Sequence, residues 1–138
     1  METCQERVKK HYESRIDDLR KIFTAYQEGE EEKYSYDIGI FPEYGLCFDY
    51  VAAGTFTDQQ EGYFRYQLSW GGPSEEFRIF GSIGSVHNPT RIEFWLLDWG
   101  DGAKIDLKGE DFDLLKKIYD FFDEIGVTQS ELEKAENY

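Results

Sequence analysis

The spacing of apolar residues changes period twice along this chain, and each change narrows the folds open to it. Val8, Tyr12, Ile16, Leu19, Phe23 and Tyr26 recur at intervals of three and four, which puts them on one face of a helix over about 4–27. Arg7, Lys10, Asp17, Asp18 and Lys21 take the opposite face, expected to be solvated. EGEEE at 28–32 then sets a glycine inside a like-charge run, the mark of a loop.

From about 34 to 107 alternation replaces the helical period. Tyr36, Ile38 and Ile40 alternate with Ser35, Asp37 and Gly39, FPEYG turns the chain, and Leu46, Phe48 and Tyr50 alternate with Cys47 and Asp49. The pattern predicts a hairpin. In the next strand Phe64, Tyr66, Leu68 and Trp70 share one face and Tyr63, Arg65, Gln67 and Ser69 the other; Gly71, Gly72 and Pro73 close it. Phe77 and Ile79 lie in a short fourth strand, SVHNPT at 85–90 is a loop, and Ile92 to Trp99 is a fifth strand apolar on both faces. Loss of alternation predicts a strand that is central or covered by a helix. GDG at 100–102 reads as a tight turn into a last strand with Ala103, Ile105 and Leu107.

Helical spacing returns with Phe112, Leu115, Ile118, Tyr119, Phe122 and Ile125, a stripe over about 110–125 that Gly126 ends in left-handed conformation. Thr128 with Glu131 fits a capping box opening a short helix over about 129–135. The predicted class is α+β: an antiparallel sheet of about five to six strands flanked by an N-terminal helix and C-terminal helices packed on one face. The 138 residues suit one domain. No run approaches the length of a membrane span, and METCQERVKK lacks the apolar core of a signal peptide. The expected compartment is the cytoplasm.

Charge decides which partners fit. Asp plus Glu number 29 against 15 Lys plus Arg, yet 17% of residues are aromatic. An acidic segment kept disordered by its charge is poor in aromatics, so the acid belongs to a folded surface. Residues 34–108 hold eleven acids and five bases, and 109–138 hold nine and three. Binding phosphates needs a basic patch, so no direct nucleic-acid contact is expected. The complementary partner is a basic nucleic-acid-binding cleft.

Glu110, Asp113, Asp120 and Glu124 share the helix face opposite the apolar stripe, interrupted by Lys117; Asp111 and Asp123 flank the row, and Glu131, Glu133 and Glu136 extend it. Residues three or four apart on a helix lie about 5–6 Å between Cβ atoms, comparable to phosphates along one strand. Any solvated acidic helix shows such spacing, so solubility alone is the competing reading. Trp95 and Trp99, opposite Phe94 and Leu96 on their strand, and Tyr63 are candidate apolar anchors for a partner. Trp70 is expected in the core.

Catalysis is thinly supplied. His87, beside Ser85, Asn88 and Thr90, is the better of two histidines for a small hydrolase, with Asp98 or Glu76 as its acid, but no nucleophile stands at a defined spacing. His11 reads as a solvated helix-flank residue. In DWGDG the third and fifth positions from Asp98 are Gly100 and Gly102, where a calcium loop needs oxygen ligands, leaving a hairpin turn. Glu75 and Glu76 read as a charged turn after Pro73. Cys4 and Cys47 have no CxxC spacing or nearby His and read as ordinary thiols. Neither a cofactor nor a metal is expected.

The stretches YFRYQLSWGGPSEEFRIF (63–80) and IEFWLLDWGDGAKIDL (92–107) resemble a group of small acidic proteins carried on bacterial plasmids, conjugative elements and phages. The resemblance spans roughly the middle half of the chain. It implies a context in which acidic proteins blunt host nucleases, including restriction and CRISPR effectors. The expected function is a non-enzymatic inhibitor of a basic nucleic-acid-binding protein such as a defence nuclease, by nucleic-acid mimicry. An immunity protein against a nuclease toxin shares the same electrostatics.

Overall fold

The computed structural model describes residues 2–81 and 88–136. Helix α1 (Cys4–Gln27) leads through a 3-10 turn (Glu31–Tyr34) and the one-turn helix α2 (Phe41–Tyr44) into five strands. These are β1 (Cys47–Val51), β2 (Tyr63–Ser69), β3 (Ser74–Phe80), β4 (Arg91–Asp98) and β5 (Asp101–Asp106), followed by α3 (Gly109–Glu124) and α4 (Val127–Glu136). Strands pair antiparallel in sequence order, β1 to β5. The α+β class is as the periods predict.

One face of the sheet is a continuous apolar row. Phe48, Tyr66, Phe77, Phe94 and Ile105 stand opposite one another across all five strands. Helices α1 and α3 cover this face: Val8, Ile16, Leu19, Leu115, Ile118 and Tyr119 join those strand residues in a single buried cluster. Aromatic contacts tie the layers, with Phe122 stacked 4.3 Å from Phe48 and Tyr12 5.7 Å from Phe94. Helix α4 lies against β1, shielding an edge that would otherwise present unpaired backbone groups. A smaller cluster of Val51, Tyr63 and Phe80 sits at one corner of the other face.

The predicted hairpin before Leu46 does not form. The Tyr34 carbonyl gathers the N–H groups of Asp37, Ile38 and Gly39, and Pro42 lies in the first turn of α2, where its missing N–H costs nothing. Ile38 and Phe41 reach the core from this coil, whereas Tyr36 is fully exposed. The alternation there was real in spacing but never shared a face. The sheet therefore starts at Cys47 and has five strands. Two further boundaries move. The last hairpin turns on Trp99 and Gly100, since Asp98 pairs with Asp101. Helix α4 starts at Val127, so Thr128 lies inside it and bonds back to Asp123 instead of capping a helix.

Candidate functional site

Every arginine of the chain holds a carboxylate. Arg7 lies 2.8 Å from Asp98, Arg15 2.9 Å from Glu75, Arg20 2.8 Å from Asp111 and Arg65 2.7 Å from Asp49. Arg78 lies 2.8 Å from Glu76, and Arg91 bridges Glu61 at 3.0 Å and Glu93 at 3.3 Å. Most of these acids sit on strands or against α1, where an unpaired charge would be costly. Glu75 and Glu76 are therefore not a charged turn: they stand in β3, 5% and 3% exposed, each bound to an arginine. The arginines are spent on these acids, and among the acids left over are those on the outward face of α3.

That acid lines a groove. At the seam between α1 and α3 lies an open, shallow space of about 510 Å³ bordered by Phe23, Tyr26, Gln27, Lys117, Asp120, Phe121 and Glu124. It continues into a smaller one of about 210 Å³ reached by Arg20, Thr24, Glu110 and Asp113. Glu110, Asp113 and Glu124 are exposed and Asp120 is half-buried. None of the four forms an ion pair among the described residues. Lys117 sits between them, as its helical position requires. Asp111 is withdrawn from the row: it pairs with Arg20 and accepts the Tyr12 hydroxyl. Burial and that bond push the Tyr12 phenol up, so it stays a donor. Asp123 is likewise engaged, by Thr128. On α4 Glu131 pairs with Lys134 while Glu133 is exposed.

The aromatic candidates separate. Tyr63 is 3% exposed, packed on Phe80, with its hydroxyl buried and without a hydrogen-bond partner among the described residues. Trp95 is half-buried; its indole N–H donates to Glu93, and the Arg78 guanidinium lies 4.1 Å above its ring and 5.0 Å from that of Tyr63. Neither ring is free to anchor a partner. Trp99 is: it is 95% exposed at the tip of the β4–β5 turn. Trp70, expected in the core, is 74% exposed in the β2–β3 turn. Strand alternation assigned it an inward face, but β2 ends at Ser69 and the Gly-Gly-Pro that follows was the signal that the face no longer applied.

The chemistry read from the sequence is not assembled among the described residues. His87 and Ser85 lie outside them. Both acids named as partners for His87 are already bound, Asp98 to Arg7 and Glu76 to Arg78. His11 is not simply solvated: its Nδ1 lies 3.2 Å from Glu75. Burial, then the Asp49 charge, pushes the exposed Cys47 thiol up, and burial with Asp101 does the same for Cys4, so neither favours the thiolate a nucleophile needs. No group of three or more metal-ligating side chains occurs among the described residues, and none of their helices is long and apolar enough to cross a membrane. Compared with known protein families, curated proteins and solved structures, the chain has no match.

Proposed function

We propose that this chain is a non-enzymatic inhibitor that lays its acidic helical groove against a basic nucleic-acid-binding protein, such as a host-defence nuclease of restriction or CRISPR type, in the cytoplasm. The observation that carries this reading is the segregation of charge. Arginine neutralises most acids of the sheet, and Glu110, Asp113, Asp120 and Glu124 stand together without an ion pair among the described residues. A row of carboxylates at helical spacing offers a cationic track what phosphates offer it, and opposite charge accelerates encounter at low salt. The resemblance to acidic proteins of mobile elements supports the same assignment.

The test is capture from a bacterial lysate at about 50 and about 300 mM salt, a range over which exposed charge pairs lose strength. Recovery of a basic nuclease at low salt, released by added DNA or RNA, supports occupation of its groove. The variant D113K/D120K/E124K is expected to fold normally and to lose that partner. Full inhibition by the variant would remove the groove from the account.

A further inference from the structure

We infer that the sheet end bearing Trp70 and Trp99 is a preformed docking surface that inserts two indole rings into base-stacking pockets of that basic partner. The inference rests on the reading above but uses a different part of the molecule. In a sheet ordered β1 to β5 with every pair antiparallel, the β2–β3 and β4–β5 turns fall at the same end. Their tips are two strand spacings apart, roughly 10 Å. The rings at those tips are 74% and 95% exposed.

Trp99 holds a backbone conformation that its own fold does not reward. It has φ 51° and Gly100 φ 76°, the pair of positive values a two-residue type I′ hairpin turn requires. Asn, Asp or Gly suits the first position; a bulky side chain there is an outlier. An indole that is nearly all in water recovers none of that strain through packing. Such strain is concentrated at active sites and ligand clamps.

Both turns are also braced from behind by one helix. Asp98 is held by Arg7, and the Asp101 carboxylate accepts the backbone N–H of Cys4 at 2.8 Å and of Gly102 at 2.9 Å. At the other turn the Ser69 hydroxyl is 3.1 Å from the Pro73 carbonyl and 3.0 Å from Glu75, itself held by Arg15 and His11. The first half of α1 thus fixes both tips. A backbone fixed at both tips sets where the two rings stand, so binding orders only the side-chain rotation, which is a partial preorganisation of the anchor.

Charge selects the occupant. At a net charge of −14 a second copy and an anionic membrane are both repelled. Nucleic-acid grooves combine cations with flat pockets in which bases stack on aromatic or guanidinium planes. An acidic chain presenting exposed flat rings meets both halves of that chemistry.

The experiment measures affinity for a panel of purified DNA-free basic nucleases, restriction endonucleases and guide-loaded CRISPR effectors, using the native chain, W70S/W99N and D113K/D120K/E124K. W70S/W99N is expected to bind at least tenfold more weakly. W99N alone is expected to keep or raise Tm, by about 3 °C if strain is relieved. Unchanged affinity of W70S/W99N overturns the docking surface and leaves the acidic groove standing if its own variant fails to bind. Loss by the tryptophan variant alone supports the docking surface and removes the groove. A fall in Tm of several degrees for W99N shows the ring to be structural and overturns the inference. Native chain that binds no member of the panel overturns both readings.

Discussion

At the scale of single residues, Glu75 shows how a buried acid is kept charged. Burial pushes its carboxyl up, but the bonds and charge of Arg15, followed by Ser69 and His11, outweigh this and hold it below the usual 4.5. A carboxylate whose folded value is depressed adds stability above its unfolded value and loses it as pH falls through the folded one. Below pH 4.5, therefore, part of the attachment of α1 to β3 is lost. Glu75→Gln is expected to cost about 3 kcal/mol at neutral pH, because it leaves the Arg15 guanidinium without its counter-charge. Urea unfolding against pH checks this: the variant should lose less stability than the native chain on acidification. The sequence placed Glu75 in a turn because Gly-Gly-Pro precedes it; nothing local announces that a helix sixty residues earlier supplies its cation.

At the scale of elements, α4 illustrates an attachment that propensity does not describe. Thr128 is completely buried and its hydroxyl donates to Asp123 near the end of α3, while Val127 and Leu132 pack on the core. The loop between α3 and α4 is short, with Gly126 at φ 87°, a left-handed value that glycine adopts without steric cost. Thr128→Val keeps the shape and removes the bond. The expected loss is about 1 kcal/mol, with faster amide hydrogen exchange confined to 127–136. Equal protection in both proteins would show that apolar packing alone seats α4. The segment 34–44 is the complementary case. Its alternation predicted a strand, yet the carbonyl of Tyr34 and the Pro42 turn satisfied the backbone locally, and no neighbouring strand was needed.

At the scale of the whole molecule, charge sets both a cost and a use. A net charge of −14 repels itself in the compact state, and the arginine pairs that offset it are mostly half-buried or better shielded. Added salt screens exposed repulsion more than buried attraction. Tm is therefore expected to rise by several degrees between about 20 and 300 mM salt, while affinity for a basic partner falls over the same range. Scanning calorimetry across that range checks the first half. A Tm that falls with salt would mean that surface pairs, not repulsion, dominate the balance.

The sequence by itself determined the class, the order of elements apart from the strand expected at 36–40, the two helical stripes and the acidic excess, because apolar period and composition are local properties. It also brought the exposed acids of α3 into view, since 3.6-residue spacing assigns them a face. Only the tertiary structure decided which acids remain unpaired, because the arginines of α1 that take Asp111 and Glu75 come from another element. The same holds for the aromatics. Tyr63 and Trp95 are taken up by Phe80 and Arg78 across neighbouring strands, and Trp70 and Trp99 are left in water where strand pairing stops. Whether a side chain is spent or free depends on what the chain folds against it, and spacing along the sequence carries no record of that.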